Sequence, residues 1–302
     1  MANLPKDRKK YIVSSISMGF VDMIKMLNPR RFYYAVGRKK FIEFIIFSVF
    51  LLIFYGPLMN TFMLAFANVY QFPDVIPREF GLQWWDFILS QQNLIDSIVN
   101  SFLIAFLSTS LSLIICLPAA YALARFDFKG KKMIMFSFLF SNAFPKIGLY
   151  TSIGILFYRL NLMGTFQGVL IIHLINTLMF MVWLPAGAFR SVHKQQEEAA
   201  RDVGAGPFRT FMKVTLPLAA PGIAIASIYT FLGSLDEAQG TLLVGFPKVQ
   251  TMATSMYGII FSYPPAAGAV FALILMIPSA IVLFLFRKYI GPKALSKGIK
   301  IN

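Results

Sequence analysis

Apolar residues dominate this chain in long uninterrupted runs, separated by short polar segments. A membrane-spanning helix needs about 20 predominantly apolar residues, and six stretches meet that requirement. They are predicted at Phe41–Leu64, Ile98–Ala124, Met133–Tyr158, Val169–Phe189, Leu218–Gln239 and Ala266–Phe286. The pattern therefore predicts an all-α, polytopic membrane protein with six transmembrane helices.

The composition agrees with this pattern and excludes several other classes. The 302 residues are 57% hydrophobic and 14% charged, with 32 Phe and a formal net charge of +15. Such a charge on a soluble protein would suggest a nucleic-acid partner, but here the basic residues lie between apolar runs. A single cysteine and two distant histidines offer no metal cluster. We therefore expect no metal site and no nucleic-acid partner.

The basic residues also predict an orientation, because Lys and Arg are retained on the cytoplasmic side of a membrane. Most of them lie in the segment before the first span, in the second and fourth loops and after the last span. The other three loops carry only Arg78, Arg159 and Lys248. Both termini are therefore expected in the cytoplasm. Residues 1–40 form a cytoplasmic tail, which holds either an interfacial helix over Tyr11–Asn28 or a flexible segment. Residues 41–290 form the membrane domain and residues 291–302 a second cytoplasmic tail.

The fourth loop, residues 190–217, has the most informative local pattern. Glu197 and Glu198 carry negative charge where it favours a helix N-terminus, and Ala199 and Ala200 are strong helix formers. Gly204 is suited to ending that helix. A second helical stretch is predicted from Gly206 and Pro207 to the start of the fifth span. The loop is therefore expected to be a compact helix-turn-helix on the cytoplasmic face.

This loop resembles the cytoplasmic signature of the permease subunits of bacterial ATP-binding-cassette importers, of the type I, binding-protein-dependent group. That signature is Glu-Ala-Ala, three residues, Gly, nine residues, Ile, one residue and Leu-Pro. The matching positions, with Val in place of Ile, are Glu198, Ala199, Ala200, Gly204, Val214, Leu216 and Pro217. The segment Ala120–Phe126, followed by Phe128–Lys131, is similar to the second-loop pattern of the same permeases.

The resemblance implies partners and a mechanism. The Glu-Ala-Ala segment would be a coupling helix that docks on an ATPase subunit, with Arg201 and Asp202 making polar contacts. The implied partners are two ATPase subunits, a second and homologous permease subunit, and an extracytoplasmic solute-binding protein, all at a bacterial inner membrane. The chain has no Gly-x-x-x-x-Gly-Lys-Ser/Thr phosphate loop. We therefore expect a non-enzymatic subunit without its own cofactor, while partner subunits bind ATP and Mg²⁺.

Polar residues within the spans are candidates for the solute pathway, because they are costly in a bilayer. Those predicted here are Asn142, Lys146, Asn176, Tyr229, Asp236 and Glu237. If Asp236 and Glu237 line a watery cavity, they would attract a cationic solute; if Lys146 reaches them, they form an ion pair without a substrate role.

The substrate class stays open between two readings. The second-loop pattern and the Arg159–Gly164 loop look like those of carbohydrate importers. The segments Glu198–Gly204 and Ser234–Glu237 look more like those of polyamine importers, which slightly favours a polyamine-type solute over a mono-, di- or oligosaccharide. A more remote alternative is an ion-coupled secondary transporter, but its coupling acids are largely missing from the spans.

Overall fold

A computed structural model describes residues 37–287, except for the side chains of residues 38 and 140–142. The interfacial helix considered for Tyr11–Asn28 and the tail 291–302 lie outside the described residues. The chain divides into two units, Met1–Phe62 and Met63–Asn302. In the described part of the first unit, most apolar side chains are exposed, as expected for a helix that faces lipid.

The described chain is almost entirely helical. Its elements in order are α1 Arg38–Leu64, β1 Ala67–Val69, β2 Glu79–Phe80, α2 Gln83–Ser90, α3 Gln92–Arg125, α4 Lys131–Ala143, α5 Lys146–Arg159, α6 Phe166–Ser191, α7 Lys194–Asp202, α8 Pro207–Thr210, a π-helical turn Phe211–Thr215, α9 Leu216–Leu235, α10 Gln239–Val244, α11 Met252–Ser262 and α12 Pro265–Leu285. The two short strands pair antiparallel. The predicted all-α membrane fold is thus confirmed.

Five helical segments in the described part are long and apolar enough to cross a membrane by themselves. They are Lys39–Leu64, Gln92–Arg125, Phe166–Ser191, Pro207–Leu235 and Pro265–Leu285. The first, second, fourth, fifth and sixth predicted spans correspond to these segments, with shifted ends. The fifth starts earlier than predicted, because the helix from Pro207 continues through the π-helical turn into α9.

The third predicted span, Met133–Tyr158, is not one helix. It is divided into α4 and α5, of 13 and 14 residues, with Phe144 and Pro145 between them. Proline lacks an N–H and clashes with the preceding turn, so it ends a helix unless neighbours compensate. At about 1.5 Å per residue, neither half spans the roughly 30 Å of a bilayer core alone. The third predicted span therefore consists of two helices, which are separated at Pro145.

Other prolines in the apolar runs do not break their helices. Pro118 lies inside α3, Pro185 inside α6, Pro221 inside α9 and Pro278 inside α12. Proline in a membrane helix is tolerated where neighbouring helices and local adjustments satisfy the freed carbonyl. Only Pro145, among these five, separates two helices.

The centre of the second unit is formed by α3, α6 and α9, which pack against each other. Small residues allow the close approach of α6 and α9. A Cβ atom built on Gly222 would lie 2.5 Å from the Cβ of Ala188. These two helices therefore touch through nearly bare backbone, as is common in membrane bundles.

Candidate functional site

The predicted helix in the fourth loop exists as α7, and its polar surface is largely exposed. The side chains of Glu198, Ala199, Arg201 and Asp202 are exposed. Two large apolar side chains nearby are also exposed, Val203 at 86% and Phe208 at 77%. A surface that combines charged and unpartnered apolar side chains at this point is suited to a protein partner.

Gly204 ends α7 as the sequence pattern predicted. It has a φ of +86°, in the left-handed region where glycine is favoured. Its N–H donates to the carbonyl of Arg201, and the N–H of Ala205 donates to the carbonyl of Ala200. These two bonds close the C-terminus of α7 and set the direction in which the chain leaves it.

Glu197, in contrast, does not face outward. Its side chain is buried and accepts at Oε1 from Arg125 Nη2 at 2.8 Å and from Arg125 Nε at 3.0 Å. The hydroxyl of Thr215 donates to the same oxygen at 2.7 Å. Arg125 Nη2 also donates to the carbonyl of Val192 at 2.9 Å. Glu197 therefore ties α7 to the end of α3 and to the π-helical turn, and its carboxylate is not available to a partner.

An aromatic cluster continues this connection into the membrane domain. Tyr121 of α3 has ring contacts with Phe189 of α6 at 5.5 Å and with Phe211 of the π-helical turn at 4.9 Å. Phe189 and Phe211 also contact each other, with centroids 5.9 Å apart. Both of the sequence motifs singled out above thus contribute to one packed unit at the same end of α3, α6 and α9.

The short segment between α3 and α4 carries a local ion pair. Lys131 Nζ lies 2.9 Å from Asp127 Oδ1, one helical turn away in sequence. The hydrogen bond from Lys131 and its charge hold the pKa of Asp127 below its usual value. The pair is at the surface, so it contributes little to stability.

The two neighbouring acids of the fifth span occupy different environments. Glu237 is buried, and its Oε2 lies 3.7 Å from Lys146 Nζ and accepts from the Tyr150 hydroxyl at 2.9 Å. Its Oε1 accepts from the N–H of Gly240 at 2.8 Å. Asp236 is exposed and has no side-chain partner among the described residues. The alternative in which Lys146 reaches the acidic pair therefore applies to Glu237 and not to Asp236.

A chain of buried side chains runs from α3 to the segment that holds Glu237. Ser108 donates to Ser234 at 3.1 Å, and Ser234 Oγ lies 2.7 Å from His173 Nδ1. The other ring nitrogen of His173 lies 2.8 Å from Thr241 Oγ1, which in turn donates to the carbonyl of Glu237. Because both nitrogens are engaged, His173 acts as a bridge between α6, α9 and α10.

The other predicted pathway residues are spread out. Asn176 donates to the carbonyl of Gly233 at 3.3 Å, which is an interhelical bond between α6 and α9. Tyr229 is exposed and stacks on Phe180, with centroids 5.7 Å apart. The side chain of Asn142 lies outside the described residues. Apart from the Lys146–Glu237 pair, the pathway residues whose side chains the structure describes do not converge on one pocket.

Sequence reasoning missed three contributors to the unit around α7. Arg125 and Tyr121 belong to the second-loop pattern, and Thr215 belongs to the fourth loop. Neither pattern predicts the contacts that these three side chains make. The sequence offered one indication of the contact between Arg125 and Glu197, namely two opposite charges placed where they could form a buried ion pair. An arginine that ends an apolar run and a glutamate in a nearby polar helix are natural partners, but their 72-residue separation concealed the contact.

The sequence comparisons identify the family. Residues 112–296 match the family described as "Binding-protein-dependent transport system inner membrane component". The chain belongs to this family, and it is an inner-membrane permease of an ATP-binding-cassette importer.

Several relatives are sugar permeases by name. The chain is 26% identical to the trehalose transport system permease protein of Mycobacterium tuberculosis, over 68% of this chain and 77% of that protein. It is 27% identical to the sulfoquinovosyl glycerol permease of Agrobacterium fabrum, over 70% of this chain and 75% of that protein. It is 28% identical to the maltose/maltodextrin permease of Vibrio vulnificus, over 67% and 71%.

Solved structures share the fold. A bacterial transporter that imports the acidic polysaccharide alginate matches with a TM-score of 0.64 and 20% identity, over 91% of this chain and 99% of that chain. The methionine transporter MetNI matches with a TM-score of 0.56 and 18% identity, over 68% and 96%. At these identities the likeness establishes the architecture and leaves the solute open.

Proposed function

We propose that this permease imports a carbohydrate, delivered by an extracytoplasmic binding protein. The observation that carries the proposal is the set of sugar permeases among its relatives. These relatives support the saccharide alternative better than the polyamine-type solute, which the motifs Glu198–Gly204 and Ser234–Glu237 slightly favoured.

The arrangement of charges supports the same choice. A polyamine pathway would benefit from two unpaired carboxylates at Asp236 and Glu237. Glu237 is instead engaged by Lys146, Tyr150 and a backbone N–H. Only Asp236 is left as an unpaired charge, and a single carboxylate can also accept hydrogen bonds from sugar hydroxyls.

We further propose that α7 docks on a partner ATPase subunit, with its exposed face formed by Glu198, Ala199, Arg201 and Asp202. Val203 and Phe208 add an exposed apolar contact to this face. Leu216 and Pro217 begin α9 and would carry the displacement of α7 into the membrane domain. A second permease subunit completes the pathway.

The proposed mechanism couples ATP binding by the partner subunits to a conformational change of the membrane helices. ATP binding would bring the ATPase subunits together and pull α7 with them. Because Glu197 fastens α7 to α3 and to the start of α9, those helices would follow. The solute is then moved because ATP and the loaded binding protein each favour one of two membrane conformations.

The test is uptake by the importer reconstituted in proteoliposomes with its ATPase, its second permease and its binding protein. Labelled trehalose, maltose and spermidine are offered in parallel, with ATP inside. We expect uptake of a sugar and none of spermidine; uptake of spermidine alone would overturn the carbohydrate assignment.

Glu198→Ala tests the docking surface, and Glu79→Ala is its matched control because Glu79 is an exposed glutamate of β2. We expect Glu198→Ala to reduce uptake about tenfold or more, since hot-spot contacts are worth at least 2 kcal/mol. Glu79→Ala should keep normal uptake. Normal uptake by Glu198→Ala would contradict the role of this face.

A further inference from the structure

A cavity of about 320 Å³ is lined neither by α7 nor by the side chains that contact Glu237. Its walls come from the end of α2, the first turn of α3, the segment around α10 and the length of α11. These elements lie at the ends of α3 and α12 opposite to α7. By the orientation inferred from the basic residues, this is the extracytoplasmic face.

The lining of the cavity is mostly apolar, and the polar groups in it are uncharged. None of the residues that line it is Asp, Glu, Lys or Arg. Side-chain amides are contributed by Gln91, Asn93 and Gln250, and aromatic rings by Phe87, Tyr257 and Phe261. The cavity therefore offers hydrogen-bond donors and acceptors beside flat apolar surfaces, without a charge to attract an ion.

Several of these polar groups are available to a ligand. Among the residues that the structure describes, the side chains of Gln91, Asn93 and Tyr257 make no hydrogen bond to the protein. Thr254, in contrast, is occupied: its hydroxyl accepts from the N–H of Thr251 at 2.8 Å. Donors and acceptors are thus left on the more exposed lining residues, whereas the hydroxyl of the buried Thr254 is satisfied.

The walls are held in place by packing. Ile259 is 2% exposed and belongs to the apolar core that also includes Ile88 of α2 and Leu94 of α3. The rings of Phe87 and Tyr263 are in contact, with centroids 4.9 Å apart. The N-terminus of α11 is fixed to α3, because the N–H of Met252 donates to Ser101 at 2.7 Å. The cavity is therefore preformed and does not depend on a ligand for its shape.

This chemistry selects among ligand classes. A polyamine would need carboxylates, and an anion would need Lys or Arg; neither lines the cavity. A purely apolar ligand would leave the amides without partners, at a cost. A neutral sugar presents hydroxyls to amides and C–H surfaces to aromatic rings. The volume is at the lower end of the range for small-molecule sites, about 300–1,000 Å³, which suits one or two sugar rings.

We propose that this cavity binds a neutral mono- or disaccharide on the extracytoplasmic face, as a position that the solute occupies before it enters the membrane domain. The proposal rests on the carbohydrate import proposed above. It adds a binding site formed by α2, α3 and α11, with Asn93 and Tyr257 as the residues that contact the sugar.

The experiment measures binding without transport. The full importer, without its binding protein and without ATP, is placed in nanodiscs and titrated with trehalose, maltose and spermidine, using saturation-transfer difference NMR and calorimetry. We expect saturable binding of a disaccharide and none of spermidine. Equal binding of spermidine, or no disaccharide binding, would overturn the proposal.

Asn93→Ala and Tyr257→Ala probe the contacts, and both side chains are exposed, so each variant should fold. Each should weaken disaccharide binding by about tenfold, which is the loss expected for one well-formed hydrogen bond with its associated packing. Tyr257→Phe separates the hydroxyl from the ring. Tyr158→Ala, at an exposed tyrosine outside this cavity, is the control and should bind normally.

The outcomes separate this site from the proposed function. Sugar uptake by the reconstituted importer together with unaltered disaccharide binding in both alanine variants would overturn the cavity and leave carbohydrate import standing. Failure of sugar uptake, with spermidine uptake in its place, would overturn both. Weakened binding in both variants, with a normal Tyr158→Ala control, supports the site.

Discussion

Arg125 and Glu197, which lie 72 residues apart in the chain, form an ion pair at 2.8 Å in which each side chain is only 7% exposed. Arg125 is the last residue of α3, and Glu197 is on the inner face of α7. The carboxylate also accepts from Thr215, so one oxygen joins three separate segments. The pair therefore determines where α7 sits relative to the membrane helices.

Removal of one partner of this pair should destabilise the chain strongly. Arg125→Met or Glu197→Met leaves a buried charge without its counter-ion, and such changes cost about 3–5 kcal/mol. The double variant should be less destabilised than the sum of the two, since neither charge is then left alone. Thermal unfolding of the assembled importer in nanodiscs measures the three variants. Additive losses would show that the two side chains do not depend on each other.

Loss of the Arg125–Glu197 ion pair should also uncouple ATP hydrolysis from transport. Glu197→Gln keeps the size of the side chain and removes its charge. If the ion pair positions α7, the loaded binding protein should stimulate ATP hydrolysis less in this variant than in the unchanged importer. Basal hydrolysis by the ATPase subunits should be unchanged, because Glu197 is buried within this chain. Full stimulation in Glu197→Gln would contradict a positioning role.

Gly204→Ala should weaken coupling through backbone strain. At a φ of +86°, an alanine is disfavoured by about 1–2 kcal/mol. The end of α7 would shift, and stimulated ATP hydrolysis and uptake should both fall. Gly206→Ala is the matched control, because Gly206 has an ordinary φ of −65° and open space around it. Equal effects of the two changes would mean that the left-handed turn is not required.

Gly222→Ala should separate α6 from α9. The new methyl group would meet the Cβ of Ala188, and overpacking of this kind costs about 1–3 kcal/mol. Gly187→Ala adds the same methyl group to α6, where nothing lies within 4 Å. The measurement is the unfolding temperature of the two variants. A stable Gly222→Ala would mean that the two helices part at little cost.

Glu237→Gln and Asp236→Asn should differ although the residues are adjacent. The first removes a buried charge that accepts from Tyr150 and Gly240, and hydrogen bonds to charged groups contribute about 1.5–3 kcal/mol. We expect a lower unfolding temperature for Glu237→Gln and no change for Asp236→Asn, which is exposed. Solute preference, measured by competition between maltose and spermidine, should be the same in the Glu237→Gln importer. A switch in preference there would assign Glu237 to the pathway.

Much of the membrane fold was predictable from the chain alone, because the length and polarity of a segment decide whether it can span a bilayer. Five of the six predicted spans correspond to single helices, and the helix at α7 and its glycine end were found where the local pattern placed them. The third span differs because hydropathy does not report hydrogen bonding. Residues 133–158 are predominantly apolar, yet Pro145 separates them into two helices.

The sequence could not predict which prolines and glycines of the membrane helices matter for packing. Six prolines in the predicted spans look equivalent in the sequence, but five lie within continuous helices and one, Pro145, separates two helices. Gly187 and Gly222 likewise looked alike, and only Gly222 meets another helix. In each case the difference depends on which neighbour lies opposite, and that neighbour is distant in the chain.

The sequence by itself determined the class of this protein: its membrane helices, its polar coupling segment and the motif that joins it to a family of permeases. These depend on local properties, namely runs of apolar residues and fixed short spacings. Only the tertiary structure decided which of two adjacent glutamates is exposed, which of two adjacent acids is paired, and where an uncharged cavity lies. Those features depend on long-range packing, which brings Arg125 to Glu197 and Lys146 to Glu237 and cannot be inferred from their separate neighbourhoods in the chain.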